Sequence, residues 1–447
     1  MINRIMCDTD LTQLPPYYND IDFKTLAKKD EAFKAQWQKC SGYLDFQDPA
    51  ATLILSKAIL NTDFGLTLEL PEDRLCPTIP NRWNYVSWIQ NLLDSTSPNY
   101  TGHYDPARKV IGLDIGTGAS AIYPMLCLQS RPNWTMCATD IDKKSFDSAV
   151  RNLTINNLVT RTKMIQTIPS NPLIPLQHLG VDILDFTICN PPFFTSESDM
   201  RSSLKGEGKS WTPNAACTGA PVEMVCPGGD LGFVTRIVEE SLILKQKVRW
   251  YTSMFGKLDT AKAIVTLLKS HGIDNWAVGV IEAGMVTKRW IVAWSFADYR
   301  PRNDVARIEK IANEFLPFPT EYRFALLPDH DVGAVAASVD KQLGALDLRW
   351  MWDAEACTGV GEAAQIVWNR AYRREHERRK RDAAAGGASN ADSHMAGQDE
   401  DVNVALAFRV SVVGGETREV VIEWLRGTDR VLWESFCGML HRGFKKP

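Results

Sequence analysis

From residue 110 onward, short apolar runs alternate with amphipathic stretches, and this alternation restricts the fold more than any other feature of the chain. Segments 110–115, 134–139, 163–167, 183–189 and 248–254 read as strands, and segments 119–128, 143–156, 231–244 and 260–270 as helices. Pro124 falls within the first turns of its helix, where a missing N–H is tolerated. Strands separated by helices build a parallel sheet covered on both faces. Segments 276–282 and 289–296 have no helix between them and so predict a closing hairpin with one strand antiparallel. For residues 106–300 the expectation is an α/β, Rossmann-like sheet of seven strands.

The flanks have a different pattern. Residues 1–105 are expected to form a helical N-terminal extension: 26–37 and 49–60 have helical spacing, and Asp48 before Pro49 makes an N-cap and an N1 proline. Residues 301–320, with Pro301, Pro317 and Pro319, read as a linker. Beyond it, strand-like 322–327, 348–352, 404–413 and 419–425 with helical 332–346 and 429–440 predict a smaller C-terminal α+β domain over 321–447. A helix ending in Arg-Arg-Glu-His-Glu-Arg-Arg-Lys-Arg (373–381) precedes an Ala/Gly/Ser/Asp-rich insertion, 383–402, whose composition predicts disorder.

Composition excludes several classes. No run of eighteen apolar residues occurs, and the first residues lack a basic-then-apolar signal, so neither a membrane span nor secretion by that route is expected. Ten cysteines are scattered without a C-x-x-C pair, and the seven histidines show no ligand spacing. Neither a disulfide framework nor a metal site is expected, and reduced thiols suit a cytosolic or nuclear protein. No G-x-S-x-G elbow points to covalent catalysis. Net charge is −4, so any nucleic-acid contact must rest on locally concentrated positive charge.

Three features carry chemistry. At Leu113-Asp114-Ile115-Gly116-Thr117-Gly118-Ala119-Ser120 an apolar strand runs into two glycines ahead of a helix. Glycines let backbone approach a ligand closely, and a helix N-terminus offers free N–H groups to a carboxylate or phosphate. Gly116, Gly118 and Ala121 also satisfy the G-x-G-x-x-A fingerprint, so this motif alone leaves a nicotinamide cofactor open. Asp140, ending the second strand, suits ribose hydroxyls, or equally the N-cap of the next helix. The third feature, Ile188-Cys189-Asn190-Pro191-Pro192-Phe193-Phe194, separates the cofactors. At ~5% usage per residue, one specified tetrapeptide arises by chance in such a chain only about once in several hundred. An amino group conjugated to a purine is a poor nucleophile. An Asn carboxamide oxygen and a backbone carbonyl that accept both its hydrogens favour rehybridisation as a methyl group arrives. The prolines hold the loop rigid, and the aromatic ring offers a face to an extruded base.

Asp-Ile-Gly-Thr-Gly-Ala-Ser (114–120) with Ile-Tyr-Pro (122–124) and Asn-Pro-Pro-Phe-Phe (190–194) resembles the methyltransferase-like protein 16 family of RNA adenine-N6 methyltransferases. Matching segments also include Asp63-Phe64-Gly65-Leu66, Pro80-Asn81-Arg82-Trp83-Asn84-Tyr85, Val248-Arg249-Trp250-Tyr251, Arg289-Trp290 and Ala293-Trp294-Ser295-Phe296, so most of 40–296 is covered. A bacterial family member that modifies ribosomal RNA is similar to the same half.

The resemblance implies a class I methyltransferase domain with S-adenosyl-L-methionine as cofactor and no metal. It implies methylation of adenine N6 in structured RNA with an A-C-A-G-A-type loop, notably U6 small nuclear RNA. A nuclear location follows, with the cytoplasm as a second compartment. The catalytic motif is then Asn190, Pro191, Pro192 and Phe193. Cofactor contacts are implied at Arg82, Asp114, Gly116, Gly118, Ser120, Asp140 and Asn190, with another near Asn171. Arg82 would clamp the methionine carboxylate; a surface salt bridge is its alternative. RNA contacts are implied at Arg201, Lys205 and Lys209, at Arg289, and on the basic helix. There Arg370, Arg374, Arg378 and Arg381 share one face, with a merely solvated face as the alternative.

Some features depart from the family. The chain starts Met1-Ile2-Asn3-Arg4-Ile5, with Asp8, Asp10, Asp20 and Asp22, where animal members carry a basic stretch, so either the given N-terminal sequence is not the natural one or RNA contacts differ there. The family's close Arg pair is missing from the loop after Phe194, and Asp140 stands where Glu is frequent. Two other functions fit the same motifs: a protein glutamine N5-methyltransferase, which uses the same loop, and a catalytically idle RNA-binding protein that keeps the cofactor fold. A nicotinamide dehydrogenase is opposed by Asn190-Pro191-Pro192-Phe193.

Overall fold

The alternating stretch folds into β1 (Val110–Ile115), β2 (Trp134–Asp140), β3 (Thr162–Gln166), β4 (Leu184–Cys189), β5 (Val248–Phe255), β6 (Asn275–Glu282) and β7 (Lys288–Ser295). In this computed structural model the described residues are 15, 18–39, 41–42, 44–204, 219–282, 288–307, 319–326, 331–385, 404–415 and 418–444. The strands join one sheet in the order β3-β2-β1-β4-β5-β7-β6. β1 runs parallel to β2 and β4, and β4 to β5, whereas β7 is antiparallel to both β5 and β6. The expected hairpin is present, and its second strand inserts between β5 and β6. A doubly wound dinucleotide-binding sheet lacks that insertion, which sets the dehydrogenase aside.

β1, β4 and β5 are buried along nearly their whole length because helices cover both faces. Gly112, in the middle of β1, admits the ring of Phe186 from β4: a Cβ there would lie 2.3 Å from Phe186.

The N-terminal extension is more finely divided than its periodicity suggested. The expected helix 26–37 is two helices, Phe23–Lys29 and Glu31–Lys39. Asp30 separates them and accepts a bond from the Phe33 amide at 2.8 Å, so it caps the second. Helix Pro49–Phe64 ends at Gly65 in the left-handed conformation (φ 65°). A further helix, Ile79–Ser95, carried no amphipathic signal because it is buried on almost every side. Tyr85 donates to the Thr252 hydroxyl (2.7 Å), which donates to the Thr187 carbonyl (2.6 Å), so this helix is fixed to β4 and β5. Among its described residues the stretch 195–229 contains helices Glu197–Leu204 and Pro221–Met224 and the start of Gly229–Leu244. Among the described residues no helix is long and apolar enough to cross a membrane.

A second compact unit comprises Ser95–Gly102, Asp298–Asp304 and the chain beyond the Pro-rich segment. Its sheet is antiparallel throughout, with β8 (Glu321–Ala325), β9 (Arg349–Asp353), β10 (Thr358–Ala363), β11 (Leu406–Val413) and β12 (Glu419–Arg426) in the order β8-β12-β11-β10-β9. β10, Thr-Gly-Val-Gly-Glu-Ala, has little intrinsic strand propensity. Its glycines are needed for packing, since a Cβ on Gly361 would lie 2.4 Å from the Phe408 ring. Helices Val332–Gly344 and Arg430–Phe444 bury Val339, Leu343, Phe436 and Leu440 in the same core as Phe408, Ile422 and Trp424. The basic helix runs Arg370–Ala385; Asn369 caps it, accepting from the Tyr372 amide at 2.7 Å, and Trp368 anchors its start against Phe436. Residues 386–402 of the expected disordered insertion lie outside the described residues.

Candidate active site

The carboxyl ends of β1, β2 and β4 deliver the candidate residues to one place. This is the point where strand order reverses, the usual ligand position in open α/β sheets. Beyond β1, Gly116 and Gly118 take left-handed conformations (φ 70° and 65°), which side chains rarely adopt. At the end of β2, Asp140 grips that turn: its Oδ2 accepts from the Gly118 amide at 2.8 Å, and its Oδ1 from the Asp142 amide at 2.9 Å. Burial pushes the Asp140 carboxyl above its ordinary value, against the opposing pull of those amides. Asp140 does not cap the next helix. That is the work of Asp142, which accepts from the Ser145 amide (2.8 Å) and pairs with Arg74 (2.7 Å).

Beyond β4, the Asn190 Oδ1 accepts from Arg82 Nη1 at 3.3 Å. Arg82 projects from helix Ile79–Ser95 and lies 5.7 Å from the centre of the Tyr123 ring. Among the described residues Arg82 forms no salt bridge. With five N–H donors it has capacity left for a carboxylate.

Arg82, Gly116, Gly118, Ser120, Asp140, Asn171, Asn190, Pro191 and Pro192 all line one cavity of about 330 Å³. That lies within the range of small-molecule sites. Asn171 shapes its rim by accepting from the Ile168 amide at 3.0 Å. Ile141 and Ile168, also at the cavity, are exposed despite being apolar. Phe193 is not part of this lining; its ring lies beside Gly256, with the Arg289 guanidinium 5.9 Å from its centre. Burial, with Arg82 adding, holds the Arg289 pKa below its ordinary value.

Asp114 is not in the lining either. It sits one residue before the lining Ile115, 1% exposed, and both carboxylate oxygens lack a hydrogen-bond partner among the described residues. Burial pushes this carboxyl up to about 7; the Thr117 hydroxyl and Arg82 oppose the shift and Asp140 adds to it. Sequence reasoning missed Glu223, which lines the cavity from the helix Pro221–Met224. Burial raises its carboxyl too.

The residues expected to touch RNA are spread out. Arg201 is exposed on Glu197–Leu204 and pairs with Glu197 at 3.0 Å. Lys205 and Lys209 lie outside the described residues. Arg370, Arg374, Arg378 and Arg381 are exposed on the basic helix, and Arg378 shares Glu375 with Arg379. Exposed pairs of this kind are weak and readily exchanged for other partners.

S-adenosylmethionine fits these residues. The glycine turn admits close approach, exposed Ile141 and Ile168 suit a purine, and Asp140 retains lone pairs for hydroxyls. The orphaned Asp114 carboxyl and Arg82 answer the two charges of an amino acid. Fold and site together define a class I, S-adenosylmethionine-dependent methyltransferase whose Asn-Pro-Pro-aromatic loop addresses an amino group. Residues 13–298 match the profile of an RNA methyltransferase family. Over 408 residues the chain is 33% identical to the U6 small nuclear RNA (adenine-(43)-N(6))-methyltransferase of Schizosaccharomyces pombe, spanning 91% of this chain and 96% of that relative. It is 36% identical over 284 residues to the human RNA N(6)-adenosine-methyltransferase METTL16, covering 62% of this chain and 49% of the human protein, so it spans about half the animal relative's length. The crystal structure of the human METTL16 catalytic domain with a MAT2A 3′UTR hairpin superposes with a TM-score of 0.55 at 35% identity, covering 62% of this chain and 92% of that one. The N-terminal domain of human METTL16 in complex with SAH superposes with a TM-score of 0.50 at 31% identity, covering 66% and 99%. The chain belongs to the METTL16 family of S-adenosylmethionine-dependent RNA adenine-N6 methyltransferases.

The orphaned carboxyl generates a pH prediction. A carboxyl raised from 3.8 to about 7 in the folded state contributes stability that is complete below pH 4 and lost as pH rises through 7. Asp114→Asn should therefore raise the Tm of the ligand-free protein at pH 8, by about 2–4 °C per kcal/mol relieved, and by progressively less as pH falls toward 4. Wild-type affinity for the cationic cofactor should rise with pH through 7, and the variant's should not. Equal pH slopes in calorimetry would show that Asp114 plays no part in charge recognition.

Proposed function

We propose that this chain methylates N6 of one adenine in a structured RNA, with the A-C-A-G-A-type loop of U6 small nuclear RNA as substrate and the nucleus as its place of work. The observation that carries this reading is Asn190-Pro191-Pro192 at the end of β4, lining the same cavity as the glycine turn and Asp140. The S. pombe relative, similar along nearly its whole length and named for U6, supports the choice of RNA.

Bound cofactor supplies an activated methyl group on a sulfonium. The Asn190 carboxamide oxygen and the backbone carbonyl of Pro191 accept the two N6 hydrogens. This returns the nitrogen lone pair to the nucleophilic direction, a stabilisation that grows in the transition state. As the new N–C bond forms and the methyl's bond to sulfur breaks, leaving a neutral thioether, N6 becomes cationic and acidic, and one proton leaves to water without a buried base. Arg82 holds the Asn190 amide in the accepting orientation. Phe193 offers the extruded adenine a stacking face, and Arg289 beside it adds positive charge toward the phosphates.

Asn190→Ala should leave the fold near wild type and lower kcat at saturating cofactor by roughly 100-fold or more, as removal of comparable polar groups does. A variant with wild-type kcat would remove Asn190 from the mechanism.

Positive charge must be concentrated somewhere on a chain of net charge −4, and the basic helix is the clearest concentration. Replacing Arg374, Arg378 and Arg381 with Ala should flatten the slope of log affinity against log salt by about two units, at roughly 0.7 per phosphate contact. kcat at saturating RNA should not change. An unchanged slope would leave the helix as a solvated face.

A further inference from the structure

Glu223 takes no part in the chemistry described so far, yet it lies beside elements that do. Its Oε2 accepts two backbone amides, from Ala220 at 2.9 Å and from Leu75 at 3.0 Å. Leu75 precedes the helix Ile79–Ser95 that carries Arg82. Its Oε1 faces the glycine turn, 3.6 Å from where a Cβ on Gly118 would stand. The residues just after Glu223 pair with the catalytic loop. The Phe194 amide donates to the Met224 carbonyl, and the Cys226 amide to the Phe194 carbonyl, both at 3.0 Å. The half-buried Glu223 carboxylate therefore faces the cofactor turn and holds the approach to Arg82, and the residues that follow it pair with the loop that presents Asn190 and Phe193.

We propose that Glu223 is a positioning residue that holds the loop 190–194 in register with the Gly118 turn by accepting the Ala220 and Leu75 amides. The proposal rests on the methyl-transfer reading above. What it requires of Glu223 is an acceptor at the right reach rather than a negative charge. Two orphaned amides beneath the site would otherwise have to find partners by moving the segment that carries them. A shift of that segment is felt at Phe194, four residues from Asn190.

Three substitutions separate reach from charge. Glu223→Gln keeps an oxygen acceptor of the same length, Glu223→Asp keeps the charge but is one methylene short, and Glu223→Ala keeps neither. The full chain is assayed on an adenine-containing RNA hairpin with methyl-labelled cofactor, measuring kcat, KM for RNA and S-adenosylhomocysteine affinity. Glu223→Gln should stay within about threefold of wild-type kcat. Glu223→Asp and Glu223→Ala should lose about tenfold or more in kcat, as slight misplacement of reacting groups does, with the RNA KM nearly unchanged. If Glu223→Ala unfolds, the Gln and Asp pair decides alone. An active Asp variant beside an inactive Gln variant would show that charge acts on the cofactor and would overturn the proposal. Wild-type kcat in the Asp variant together with the Gln variant would do the same. A wild-type chain inactive on RNA would count against the functional reading instead.

Discussion

The site depends on the register of three parallel strands. Ile115 of β1 pairs with Thr139 of β2 and with Cys189 of β4. The next residue on each strand is therefore at the same level: Gly116, Asp140 and Asn190. Parallel strands with a shared end make this possible, because the loops leaving them all emerge on one side of the sheet. A one-residue slip on β4 would turn Asn190 to the opposite face. The Gly118 amide on Asp140 closes β1 to β2 across that edge, and Arg82 on Asn190 ties the N-terminal extension to β4. The extension is thus a working part of the site.

Electrostatics divides the site in two. Asp114, Asp140 and Glu223 are carboxyls raised by burial near the glycine turn, an arrangement with an unmet preference for a cation. Arg82 and Arg289 interact on the side of the catalytic loop, where burial leaves Arg289 with an unmet preference for anions. A cationic methyl donor and an anionic RNA satisfy the two halves separately, each paying part of the desolvation cost of the residues it meets. Bringing the donor and the RNA together is what aligns methyl group and base.

Much of this could be read from the chain because it is local. β1 with its glycines and β4 with Asn190-Pro191-Pro192 are continuous motifs, and β6 and β7 were legible as a hairpin from the missing helix between them. The features that escaped are those fixed by distant partners. Helix Ile79–Ser95 is buried nearly all round and so has no period, and β10 is strand only because Trp350 and Phe408 need its glycines. Glu223 is bound by the amide of Leu75, 148 residues away. Asp140 and Asp142 are both plausible caps by position. Only the bonds to Gly118 and Ser145 tell them apart. On the basic helix the sequence shows the charge, whereas the pairing of Arg378 and Arg379 with Glu375 is visible only in three dimensions.

The central claim is that Asn190 and its loop direct a methyl group to one exocyclic amine of an RNA base. The most direct measurement is nucleoside analysis after reaction of the full chain with methyl-labelled cofactor and a U6-type hairpin carrying an A-C-A-G-A loop. Label is expected in N6-methyladenosine at one adenine of that loop, and none when that adenine is replaced by guanine. Label in another nucleoside, or in a protein glutamine with the RNA untouched, would contradict it.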